Sequence, residues 1–224
     1  MAMASRCARR LDRPPSIMRT VSDQLCPSGV VVSLPDAPLD DHVGAIEVLI
    51  QEGLTTFALP AACEAFAGVV AIFGARAVVG ATRVADADGV RLAAERGARF
   101  VLADVASVEV ASAAQEVGLP CHGSAMTPAE VRAALALPDG RVLLYPADVT
   151  GHAIAPRLRE LGLIERVVAL GGVGAYAAGE WLKAGAQAVC VDSTLLGDAY
   201  SGGSLGQLRD RCSSFVAVNR RQSS

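Results

Sequence analysis

From residue 30 onward the chain alternates two hydrophobic rhythms. Short apolar or β-branched runs recur at VVVSLP (30–35), TTFAL (55–59), AVVGAT (77–82), FVLAD (100–104), PCHGSA (120–125), VLLYPAD (142–148), VVALGG (167–172) and AVCVDS (188–193). Runs this short, rich in Val and bounded by Gly, Pro or Asp, predict buried strands. Between them DHVGAIEVLIQEG, DADGVRLAAERGA, SVEVASAAQEVG, TPAEVRAAL and GEWLKAGA place apolar residues three and four apart, the period of an amphipathic helix. Gly53, Gly97, Gly118 and Gly185 close four of these stretches, where a left-handed residue ends a helix without Cβ strain. Thr127-Pro128-Ala129-Glu130 combines an N-cap, a proline at the first helical position and an acid two residues later, a strong helix start.

Eight strand starts about 20 to 25 residues apart, with helical stretches between them, describe parallel βα units. Eight units in one chain of 224 residues predict the α/β class and a single (β/α)8 TIM barrel, spanning residues 27–221. A doubly wound open sheet would carry a Gly-rich turn after its first strand, and SLPDAPLDD has none. Residues 1–26 differ in composition: Arg6, Arg9, Arg10, Arg13 and Arg19 face one acid, Asp12, around a Pro14-Pro15 break. They read as an Arg-rich arm, as sequence upstream of a start at Met18, or as a transit peptide.

Composition narrows the function classes. Apolar residues are 52% of the chain and aromatics 4%, so the core is built from Val, Ala and Leu. A formal charge of −3 gives no global attraction to nucleic acid. No apolar run approaches the roughly 18 to 20 residues that span a bilayer. The six cysteines, Cys7, Cys26, Cys63, Cys121, Cys190 and Cys212, form no CxxC pair and read as packing thiols. Reduced thiols and a cytoplasmic location are the expectation.

In a barrel, chemistry sits at the C-terminal ends of the strands. There the sequence places Ser33, Ala58, Thr82, Arg83, Asp104, His122, Ser124, Tyr145, Asp148, Gly171, Gly172, Asp192 and Ser193. Gly171 and Gly172, with Ser193 across the gap, suit an anion, because glycine lets backbone N–H groups approach and barrels often hold phosphate after strands seven and eight. The same glycines serve equally in a tight turn. Arg83 and Asp104 lie at adjacent strand ends, either as a structural ion pair or with Arg83 gripping a carboxylate and Asp104 orienting it. His122, Asp104 and Tyr145 are the candidate acid/base groups. A metal would need Asp104, His122 and Asp148 to converge, and neither metal nor cofactor is expected. The chain's one lysine, Lys183, falls on an outer helix, so no Schiff base is expected in the barrel mouth.

GARF (97–100), TPAEV (127–131), LYPAD (144–148), GGV (171–173), WLKAGA (181–186) and the final LGQLRDRCSSFV follow one another in an order and spacing that resembles the 2-keto-3-deoxy-6-phosphogluconate (KDPG) and 4-hydroxy-2-oxoglutarate (KHG) aldolases, over about residues 26–221. The resemblance implies a homotrimer and a class I aldolase, which cleaves a 2-keto-4-hydroxy acid to pyruvate and an aldehyde through a lysine Schiff base. Its functional residues carry over unevenly. Leu143 stands at the lysine of K-x-F-P, with Tyr145 retaining the aromatic. Ala58 stands at the acid/base glutamate, and the T-L-R-T stretch with its arginine is missing. The G-A-G-T turn reads GATR and ends in Arg83, and Asp104 replaces a proline. P-T-G-G reads ALGG and keeps both glycines, while Ser193 keeps the serine of a G-S pair whose glycine is Asp192. The expectation is therefore a family member that binds a phosphorylated or carboxylated metabolite without Schiff-base chemistry. The alternatives are a non-Schiff-base lyase or isomerase acting on a 2-keto acid, and a structural or partner-binding barrel.

Overall fold

A computed structural model describes residues 29–220; the Arg-rich arm, with Cys7 and Cys26, lies outside the described residues. Eight strands, β1 (Val30–Ser33), β2 (Thr56–Pro60), β3 (Val78–Val84), β4 (Val101–Ala103), β5 (Cys121–Ala125), β6 (Val142–Leu144), β7 (Val167–Leu170) and β8 (Ala188–Val191), pair in chain order. All pairs are parallel, and β8 returns to β1 to close the ring. The fold is the expected (β/α)8 barrel. Its outer layer comprises α1 (Leu39–Gln51), α2 (Phe66–Phe73), α3 (Ala87–Glu95), α4 (Val108–Glu116), α5 (Pro128–Leu135), α6 (Ala147–Thr150), α7 (Ile154–Glu160), α8 (Ala175–Ala184), α9 (Ser193–Leu196) and α10 (Leu205–Arg220). Among the described residues no helix is long and apolar enough to cross a membrane.

Local chemistry explains the boundaries. The Thr127 side chain accepts from the Glu130 amide, and Glu130 accepts from the Thr127 amide at 2.8 Å, a complete capping box for α5. The Gly185 residue that ends α8 has φ +103, a conformation costly for any residue with a Cβ. α2 escapes periodicity because FAGVVAIF is apolar almost throughout. β6 is shorter than its apolar run: Pro146 offers no amide to a ladder, and α6 starts at Ala147.

Two cores result. The larger fills the space between sheet and helices. The smaller lies inside the barrel, where Val31, Ala58, Phe100, Leu102, Leu143, Val168, Ala188 and Cys190 pack together. Phe100 sets its geometry. Its ring lies where a Cβ on Gly80 would be, so β3 must carry glycine opposite the aromatic. Cys63, Cys121, Cys190 and Cys212 are buried or half-buried.

His122 is not at a strand end. Gly123, Ser124 and Ala125 continue β5 by pairing with Val142, Leu143 and Leu144, which leaves His122 three residues below the mouth and fully buried. Its Nε2 lies 3.1 Å from Oε1 of Gln187, just before β8, so it belongs to the interior near the opposite face. Ala58 likewise sits mid-strand, fully buried in β2.

Two outcomes are expected. Gly80→Ala must displace the Phe100 ring, and overpacking of this kind costs about 1 to 3 kcal/mol, readable as a lower denaturation midpoint. Burial pushes the His122 imidazole down to about 4 from the usual 6.5; the Gln187 hydrogen bond opposes the shift and Arg141 adds to it. Protons therefore favour the unfolded chain. Stability at His122 is full above about pH 6.5 and falls as pH drops toward 4, by a total on the order of 3 kcal/mol. His122→Gln, which cannot titrate, should flatten this part of a pH–stability profile.

Candidate functional site

Side chains alternate along a strand, so the residues two beyond the interior core form the inner rim of the mouth. These are Ser33, Pro60, Thr82, Asp104, Tyr145, Leu170 and Asp192. The floor beneath them is apolar. Leu143, only 2% exposed, packs in the same cluster as Ala58, Phe100 and Val168. Lys183 lies on α8 with its side chain 77% exposed and Nζ 3.8 Å from Glu180 Oε1. Among the described residues no lysine amine reaches the barrel interior.

Arg83 is held by an irregularity in the sheet. β3 and β4 are in register at Ala81–Val101 and again at Val84–Ala103, so β3 carries one extra residue between the two pairs. Such a bulge re-aims a side chain. Arg83 takes φ +56 and is exposed, a conformation uncommon outside glycine and characteristic of functional loops. The Asp104 amide donates to Val84 O at 2.8 Å and closes the bulge. Partial burial pushes the Asp104 carboxyl up from the usual carboxylate range, and the positive charge of Arg83 opposes that shift. The two charges thus sense each other across neighbouring strand ends. Among the described residues Arg83 forms no ion pair, which corrects the structural-pair alternative and leaves its guanidinium available. Tyr145 stands at the mouth 49% exposed, its amide donating to Ala125 O at 3.1 Å.

The β7 and β8 ends are built differently. Gly171 and Gly172 have φ +106 and +60. The Asp148 amide donates to Gly171 O at 3.0 Å, and a Cβ on Gly172 would lie 2.7 Å from Asp148 Oδ2. The Gly172 amide donates to Asp192 Oδ2 at 3.2 Å, while the Thr194 amide donates to Asp192 Oδ1 at 3.4 Å. The Thr194 hydroxyl donates to Val173 O at 2.8 Å, a further tie between the two loops. Ser193 is exposed at the start of α9. Both glycines adopt the left-handed backbone, and the Gly172 amide faces a carboxylate of the same chain. The engagement of Asp192 and the approach of Asp148 went unread in the sequence. The available signal was an aspartate where the resembling family has glycine.

These two groups oppose each other. In the closed ring β3 and β7 are four strands apart, as are β4 and β8, so a cation edges one side of the mouth and carboxylates edge the other. His122 is remote from both. Among the described residues no three His, Cys, Asp or Glu side chains cluster as metal ligands.

The chain matches the KDPG and KHG aldolase family over residues 21–202. No curated protein matches it in sequence. Among solved structures, native KDPGal superposes with a TM-score of 0.76 at 20% identity, covering 87% of this chain and 95% of that one. The KDPG aldolase of Zymomonas mobilis with 3-phosphoglycerate gives 0.72 at 19% identity, covering 87% and 93%. The KDPG aldolase of Legionella pneumophila, with pyruvate captured as a covalent carbinolamine, gives 0.72 at 18% identity, covering 88% and 97%. By the extent of its match the chain belongs to the KDPG and KHG aldolase family.

Proposed function

We propose that this barrel binds a small 2-keto acid at its mouth, with Arg83 gripping the carboxylate, and that it does so without covalent catalysis. The observation that carries the reading is Arg83 itself: exposed, set in a left-handed bulge at the mouth, and without an ion-pair partner among the described residues. A guanidinium in that state can accept a carboxylate bidentately. Asp104 orients it through charge from the next strand. Tyr145, at the mouth, offers a hydroxyl to the keto or hydroxyl oxygens. The KDPG aldolase of Legionella pneumophila holds pyruvate as a carbinolamine. Here Leu143 and Ala58 line an apolar floor instead, which supports binding without that adduct.

A second reading has its own observation. The Asp104 carboxyl is pushed up by partial burial, the direction that favours a group moving a proton. In that case the bound acid would undergo proton transfer at Asp104, with Tyr145 assisting, and the protein would be a non-Schiff-base lyase or isomerase. The exposed apolar side chains Val149 and Tyr176, 68% and 74% exposed, suit burial against a second copy and support the homotrimer that the family resemblance implies.

The test is titration of pyruvate and 4-hydroxy-2-oxoglutarate into the full chain, beside borohydride trapping read by intact mass. Saturable binding with no adduct is expected. Arg83→Ala should weaken binding about 10- to 100-fold, the roughly 1.5 to 3 kcal/mol of a charge-assisted hydrogen bond. Unchanged affinity in Arg83→Ala, or a trapped adduct, would overturn the reading. Pyruvate release that vanishes in Asp104→Asn would select the proton-transfer alternative. Sedimentation should show a trimer that Tyr176→Asp weakens.

A further inference from the structure

We infer that Asp192 is a specificity-determining residue: its carboxylate occupies the anion cradle between β7 and β8, so the barrel rejects phosphate there and its ligand is unphosphorylated. The inference rests on the 2-keto acid reading for what is bound, and on separate observations for what is refused.

The argument starts from the amides. After strands seven and eight, barrels commonly present backbone N–H groups to a phosphate, and the approach of the Gly172 and Thr194 amides has that form. Both donate to one side chain, Gly172 to Asp192 Oδ2 at 3.2 Å and Thr194 to Asp192 Oδ1 at 3.4 Å. One carboxylate thus spans the gap and stands in for two oxygens of an external anion. A phosphate would have to displace it and lie beside it. Like charges at such a distance repel, the more so with two carboxylates at the same glycine. A second carboxylate, Asp148, lies against Gly172 from the β6 side. Arg83 is on the far side of the ring, and Arg211, which reaches α9, is taken up by Leu195 O, Leu196 O and Asp198.

Asp192 is also the N-cap of α9, so a merely structural role must be separated from a selective one. Aspartate and asparagine cap helices about equally well. Asp192→Asn therefore keeps the cap and removes the charge, whereas Asp192→Gly empties the cradle. The probe is inorganic phosphate, titrated into the full chain and followed at the Gly172 and Thr194 amides by NMR, with thermal unfolding to verify that each variant is folded. The wild-type amides should not respond. Asp192→Gly should bind phosphate at least about tenfold more tightly than wild type, with Asp192→Asn between them. Phosphate shifting those amides in the wild type would overturn the inference. So would a folded Asp192→Gly and a folded Asp192→Asn that both ignore phosphate.

Pyruvate titrated in parallel keeps the two readings apart. Phosphate gained by Asp192→Gly in a protein that never binds pyruvate supports the role of Asp192 and sinks only the 2-keto acid assignment. Pyruvate bound by wild type, with no phosphate response in any folded variant, does the reverse. As a direct check, wild type should bind a free 2-keto-3-deoxy sugar acid in preference to its 6-phosphate, and Asp192→Gly should narrow or invert that preference. A wild-type preference for the phosphate ester would overturn the inference.

Discussion

The Arg83 side of this barrel's mouth stands on the packing of one phenylalanine against one glycine in the interior. The ring of Phe100 fills the place a Cβ on Gly80 would take, and Leu102, Leu143 and Val168 complete the same cluster. Close packing of this kind transmits shape. It holds β3 and β4 side by side just below the point where β3 carries its extra residue and turns Arg83 out to solvent. The apolar floor and the exposed cation thus have one origin.

That floor also constrains the chemistry the fold can regain. An amine introduced at Leu143 would enter a site 2% exposed, among hydrophobic side chains with no carboxylate in the cluster. Burying such a group without a partner is costly, and the usual relief is loss of its proton. The space is also taken. A lysine placed at Leu143 would therefore need the cluster emptied as well as one residue changed.

Periodicity made most of the fold legible. β-Branched runs and helical spacing marked all eight strands and five of the helices, and the capping box at Thr127 appears as read. What periodicity could not locate was position within a strand. His122 and Ala58 fall among the mouth candidates because a run alone does not show the height of its residues in the barrel, and pairing of β5 with β6 carries Gly123–Ala125 beyond His122. Inward and outward faces follow from alternation, but height in the barrel follows from register, which is a property of two strands. The site was legible by composition at Arg83, Asp104 and the two glycines. The engagement of Asp192 was not, because a hydrogen bond spanning 20 residues leaves no local pattern.

The bridge formed by Asp192 and Thr194 bears on the energetics of any ligand that enters. A loop that waits for its ligand before ordering subtracts conformational entropy from the binding free energy. In this chain the loops after β7 and β8 are tied together by two hydrogen bonds of their own, so part of that entropy is already lost when the protein folds. One wall of the mouth is cross-linked before any encounter. Association there is lock-like, and whatever adaptability the site has must come from the long side chains of Arg83 and Tyr145 on the other strands.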